Sequence, residues 1–123
     1  LKILICGSRT FNNYDKLKNS VNNVLKDLRS QGEKIFISGG AKGADTIAEE
    51  YALNNDKQFK CFSANWDKYG KRAGVIRNRE MLEYLSYGDV VIAFWDGKSK
   101  GTKNMVEIAK KSRKNIKIFV FGD

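Results

Sequence analysis

Ile35-Phe36-Ile37-Ser38-Gly39-Gly40-Ala41-Lys42-Gly43-Ala44-Asp45 is the stretch that decides the fold class. Its apolar start is too short for a buried helix and reads as a strand. The glycines that follow read as a turn, and residues 44–54 carry Ile47, Ala48, Tyr51 and Ala52 at helical spacing on one face. Strand, glycine turn and helix in that order admit two readings. The turn is a phosphate cradle, with glycine allowing close approach and the helix N-terminus supplying positive potential, or it is a tight βα bend that holds nothing.

The same alternation runs outward in both directions. Residues 2–6, 34–38, 58–62, 90–94 and 116–121 read as strands, and Val90 to Phe94 is the uninterrupted apolar run of a parallel strand covered on both faces. Helices are expected over about 14–29, with Leu17, Val21, Val24, Leu25 and Leu28 inward and Asp15 at the cap, over 44–54, over about 74–87 with Ile76, Met81, Leu82 and Leu85 inward, and from the 96–102 loop to about Ser112. The expected architecture is therefore α/β: a Rossmann-like three-layer α/β/α arrangement with a five-stranded parallel sheet in the order 3-2-1-4-5, built as one domain over residues 1–123. Ligands of such sheets bind beyond the C-terminal strand ends, where the strand order reverses. Gly7-Ser8-Arg9, the glycine turn and Trp95 through Thr102 all fall at that edge.

Composition narrows the chemistry. The chain has no histidine, which removes the commonest general base and transition-metal ligand, so a zinc site or serine-histidine hydrolase is excluded and neither metal nor cofactor is expected. Cys6 and Cys61 lie in strand-like runs and read as small buried thiols; with no disulfide framework and no basic, apolar leader ahead of Leu1, a cytoplasmic protein is expected. No apolar run approaches a membrane span, so no membrane partner is expected. A net charge of +9 calls for an anionic partner to be considered, although scattered lysines such as Lys16, Lys18, Lys26, Lys110, Lys111, Lys114 and Lys117 read as solvated surface.

The candidate site residues follow from placement and chemistry. Gly7, Ser8 and Arg9 offer a close-approaching turn, a hydroxyl and a guanidinium able to grip phosphate bidentately. Gly39, Gly40 and Gly43 offer backbone amides, Lys42 a phosphate partner, and Asp45 either a ligand contact or a structural bond to loop amides or the helix start. Between Ser63 and Ala73 a loop is expected in which Trp66 and Tyr69 stack on a base or serve as core anchors, one of them as an anchor, while Arg77 and Asn78 at the next helix start reach phosphate or ribose. Gly101 and Thr102 form a second glycine-hydroxyl pair at a helix N-terminus, with Thr102 alternatively a plain N-cap.

Taken together, Cys6-Gly7-Ser8-Arg9, Gly39-Gly40-Ala41-Lys42-Gly43-Ala44-Asp45, Trp66 with Tyr69-Gly70, Ala73-Gly74 with Ile76-Arg77-Asn78-Arg79-Glu80-Met81, and Gly101-Thr102 with Asn104-Met105-Val106 resemble the YspA-like, cpYpsA-related branch of the SLOG superfamily. That superfamily also includes the lonely-guy phosphoribohydrolases and the DNA-processing protein DprA/Smf. The resemblance implies a Rossmann-like domain that binds a nucleotide or nucleotide-derived molecule as a sensor or sequestering protein, in some members within prokaryotic or phage conflict systems, and that self-associates as a homo-oligomer. It leaves two alternatives open: a hydrolase of nucleotide N-glycosidic bonds, and a DNA-binding module like the DprA core. The lonely-guy motif P-G-G-x-G-T-x-x-E, aligned on Gly101-Thr102, puts Met105 where its catalytic glutamate stands, and its Pro-Gly-Gly is not kept. Glu80 and Asp45 are the remaining candidates for an acid-base role.

Overall fold

A computed structural model describes residues 1–123. Five parallel strands, β1 (Lys2–Gly7), β2 (Ile35–Ser38), β3 (Gln58–Cys61), β4 (Val90–Trp95) and β5 (Lys117–Gly122), form one sheet in the order β3-β2-β1-β4-β5. The helices are α1 (Tyr14–Asp27), α2 (Ala44–Asn54), α3 (Trp66–Tyr69), α4 (Ala73–Tyr84) and α5 (Lys100–Lys111), with a 3-10 turn over Gly70–Arg72. This is the expected three-layer α/β/α arrangement and strand order.

Strand alternation builds the layers. Ile3, Ile5, Phe36, Val90, Ile92 and Phe94 face α1 and α2, where Leu17, Val21, Ile47, Ala48 and Tyr51 complete one core. Leu4, Cys6, Ile37, Val91 and Ala93 face α4 and α5, against Met81, Leu85, Met105, Val106 and Ala109. Phe11, in the segment after β1, stacks on Phe94 at 4.7 Å and Phe94 on Phe121 at 5.6 Å, so the chain leaving β1 is pinned before α1 begins. No helix is long and apolar enough to cross a membrane.

Several local expectations are corrected. Asn13, not Asp15, caps α1 by accepting from the Lys16 N–H, and α1 stops at Asp27. Ser99, not Thr102, caps α5, so Gly101 and Thr102 sit in its first turn and not in a loop. The 63–73 segment is not a plain loop, because Asn65 accepts from the Lys68 N–H and nucleates α3. Neither of its aromatics is a core anchor: Trp66 is 53% exposed and Tyr69 38%. Cys6 is buried as expected, but Cys61 is exposed because it ends the short edge strand β3.

Lysine also departs from the uniform solvated picture. Lys114 Nζ donates to the carbonyls of Leu82 (2.8 Å), Glu83 (3.0 Å) and Leu85 (2.7 Å), and Lys2 Nζ to that of Tyr84 (2.9 Å). Two cations thus satisfy the open C-terminal carbonyls of α4, which ends at an extended Leu85 rather than at Tyr87.

Candidate functional site

Each site segment is delivered by a strand end. Gly7 closes the central strand β1, the 39–45 turn follows β2 on one side, and Asp96 through Thr102 follow β4 on the other, so the three meet where the strand order reverses. Packing between the first two is close. A Cβ on Gly43 would clash with the Ser8 carbonyl oxygen, and one on Gly7 with that of Phe94. The Ser8 carbonyl accepts from the Ala44 N–H (3.3 Å), joining the β1 turn to the start of α2. Ser8 itself is buried, and its hydroxyl accepts from the Asp96 N–H at 2.9 Å, tying the third segment to the first.

A crevice of about 440 Å³ opens at this meeting point. Its floor is Cys6, Met81 and Met105; its walls include Gly7, Arg9, Asp45, Arg77, Asn78, Asp96, Gly101 and Thr102. A second lobe of about 370 Å³ adjoins it, lined by Gly39, Gly40, Lys42, Ser63, Ala64 and Trp66. Arg9, Ala41 and Arg77 line both lobes and form the partition between them.

Arg77 is held in place as part of that partition. Its Nη1 donates to the Gly39 carbonyl and its Nε to Asn78 Oδ1 at 3.1 Å, while Asn78 Nδ2 donates to the Gly101 carbonyl (3.2 Å) and to Asn104 Oδ1 (2.9 Å). The chain from β2 to α5 therefore runs through two side chains of α4. A Cβ at Gly39 would meet the guanidinium at 2.5 Å and would have to push it aside. The sole ion pair of the structure is Lys103–Glu107 on α5, so Arg9, Lys42 and Arg77 carry their charge without a carboxylate partner within bridging distance.

Asp45 lies in the first turn of α2, buried, with Oδ2 accepting from the Ala41 N–H at 3.0 Å. It braces the turn and is not the N-cap, which is Gly43. Burial pushes its carboxyl up from 3.8 to about 6, against the lowering effects of the Ala41 N–H, the Arg77 guanidinium and the Gly39 N–H. Cys6 on the floor is likewise pushed far up, by burial first and by Asp45 second, and stays a protonated thiol. Asp96 is held below its usual value, chiefly by the N–H groups of Lys98 and Ser99, each bonded to its Oδ1 at 2.8 Å. The N–H groups of Lys100 and Gly101, in the open first turn of α5, have no partner within the protein.

Most of the sequence-derived residues are thus brought together. Gly7, Arg9, Asp45, Arg77, Asn78, Gly101 and Thr102 line the inner lobe, and Gly39, Gly40, Lys42 and Trp66 the outer. Ser8 is buried and Gly43 half-buried against the backbone of Ser8 and Arg9, so both act in packing and line neither lobe. Tyr69 and Glu80 are exposed and line neither lobe. Asp96, Ser99 and Lys100, inside the Trp95–Thr102 stretch expected at this edge but not singled out as site residues, line the inner lobe, as does Thr10; the run Asp96-Gly97-Lys98-Ser99, a turn-forming aspartate followed by a capping serine, carries a readable signal. Met105 fills the floor where a lonely-guy glutamate would stand. No group of acidic or cysteine side chains is arranged to hold a metal ion.

The profile of the YAcAr family, described as the YspA, cpYpsA-related SLOG family, matches residues 1–69. The "Gene 61 protein" of Mycobacterium phage D29 is 35% identical over 129 aligned positions, which cover 99% of this chain and 97% of that protein. No solved structure matches the chain significantly.

Proposed function

The chain belongs to the YspA, cpYpsA-related SLOG family, and from that premise we propose that its crevice binds a nucleotide or nucleotide-derived ligand and holds it without turning it over. One observation carries the reading: Arg9, Lys42 and Arg77 converge at the C-terminal strand edge with no carboxylate within salt-bridge distance, beside the free N–H groups of Lys100 and Gly101. Uncompensated cations and open helix-terminal amides in one concave site suit a phosphate-bearing molecule. Gly39, Gly40 and Gly101 line the path for the phosphates, Trp66 offers a stacking face, and Asn78, Thr102 and Asp45 supply bonds for sugar or base.

Binding without turnover is supported by the floor. Met105 has no acid-base capacity, Glu80 lies outside the lobes, and Asp45 already has one oxygen committed to the Ala41 N–H. A single domain over residues 1–123 that captures a nucleotide in the cytoplasm, alone or as a homo-oligomer, would serve as a sensor or a sequestering agent in a prokaryotic or phage conflict system; the phage relative is in keeping with that setting.

Thermal-shift measurement against AMP, GMP, CMP, UMP, cyclic nucleotides and ADP-ribose tests the reading. At least one should raise the melting temperature of the wild type and not of Arg9→Ala, and chromatography should return that ligand unchanged. Release of free base or ribose phosphate would make the protein a hydrolase instead. Steeply salt-dependent binding of single-stranded DNA, with no nucleotide response, would favour the DNA-binding alternative.

A further inference from the structure

The crevice has two lobes with one shared wall, and that division bears on what kind of nucleotide fits. The inner lobe ends on the apolar floor of Cys6, Met81 and Met105, and the carboxyls of Asp45 and Asp96 lie on its walls. Two acids repel a terminal phosphate but accept from hydroxyl and N–H groups, so a sugar with its base suits this lobe. The outer lobe has no acidic lining residue, and it ends on Trp66, whose ring packs on one side near Gly74 and is 53% exposed.

Between these ends the anion-binding groups are spread across the partition and not gathered on one side of it. Arg9 and Arg77 face both lobes, the free N–H groups of Lys100 and Gly101 belong to the inner lobe, and Lys42 to the outer. Arg77 is fixed there by its bonds to Gly39 and Asn78, which leave Nη2 without a partner in the protein. A single phosphate can use only part of such a row, and a mononucleotide with its phosphate at the partition leaves one ring-sized lobe empty.

We infer that the ligand is a diphosphate carrying a ring-bearing group at each end: the bridge crosses the Arg9–Arg77 partition, one nucleoside or sugar enters the inner lobe, and the other stacks on Trp66. The inference rests on the nucleotide-binding reading above and specifies its ligand class. Its consequence is that Trp66 contributes more to binding when the ligand has a second ring-bearing group to place on it than when it has one.

Calorimetric titration with two-ended and one-ended probes separates these cases. Diadenosine diphosphate, diguanosine diphosphate and ADP-ribose are compared with AMP, GMP and inorganic pyrophosphate, on the wild type and on Trp66→Ala. The exposed position of Trp66 lets the substitution leave the fold intact, and Trp66→Phe serves as a conservative control that keeps a stacking face. At least one two-ended probe should bind about tenfold tighter than its own mononucleotide, Trp66→Ala should bring that ratio close to one, and Trp66→Phe should restore most of it. A mononucleotide that binds as tightly as every two-ended probe, or a Trp66→Ala loss equal for both kinds, overturns the inference and leaves the nucleotide-binding reading standing. No binding by any probe overturns both.

Discussion

Two strand-to-helix turns flank the crevice, and they use glycine in opposite ways. In the turn after β2, Gly43 at φ +85° is pressed against the backbone of Ser8 and Arg9, Gly39 lies under the Arg77 guanidinium, and the amides of Ala41 and Ala44 are already bonded within the protein. In the turn before α5, Gly101 has nothing within 4 Å of its Cβ position, and its N–H and that of Lys100 are free. The first turn is glycine-rich because the fold crowds it; the second is open toward the crevice. A glycine cluster in a sequence therefore does not by itself mark the place where phosphate sits.

The comparison breaks most readily at Gly43. Gly43→Ala adds a Cβ into the Ser8 backbone at a backbone conformation unfavourable to alanine, and a loss of about 4 kcal/mol is expected in chemical denaturation from strain and overpacking together. Wild-type stability in that variant would mean the close approach is not what requires the glycine.

Asp45 gives the next largest effect, and it depends on pH. Its carboxyl holds a proton up to about 6 in the folded chain against 3.8 ordinarily, so between those values the native state binds more protons than the unfolded state. Stability from this group is therefore greatest at low pH and declines as pH rises through that window. Asp45→Asn keeps an acceptor for the Ala41 N–H and loses the titration. Denaturation midpoints compared across the window should shift in favour of the variant by on the order of 2–3 kcal/mol by pH 7; parallel profiles would show that the carboxyl is not desolvated.

Arg77→Met removes the bonds to the Gly39 carbonyl and Asn78 while keeping much of the aliphatic stem. A cost of about 1–2 kcal/mol is expected, and Arg77→Lys should not recover it, since an ammonium lacks the fork that reaches both partners. Equal stability of Arg77→Lys and wild type would reduce the residue to a simple charge. The smallest effect belongs to the open turn: Gly101→Ala should leave stability unchanged or raise it by about 0.5–1 kcal/mol, because alanine is the better helix residue and meets nothing. A clear loss there would erase the contrast between the two turns.

The fold was legible because its signals are periodic. Val90 to Phe94 and Ile3 to Cys6 are unbroken apolar runs, and α1 and α2 repeat their apolar positions every three or four residues, so element type and strand order both followed. Helix ends were less legible, since Asn13 and Ser99 stand beside other residues equally able to cap. Residue identity placed Arg9 and Gly101 at the crevice through the strand ends they follow, and brought Arg77 and Asn78 into consideration through the helix start they stand near. It could not separate a glycine needed for packing from one needed for a ligand, because only the neighbour across the gap, Ser8 for Gly43, makes that distinction. The exposure of Trp66 was hidden for the same reason: whether an aromatic anchors or stands free depends on what α4 places beside it.

Whether nucleotide is held between these two turns is read from an amide chemical-shift titration. With the member of the nucleotide panel that stabilises the protein most, shifts should concentrate at residues 7–9, 39–45, 77–78 and 96–102, with Lys100 and Gly101 among the largest. Shifts absent from these segments, or gathered on α1 or along the β5 edge, would contradict it.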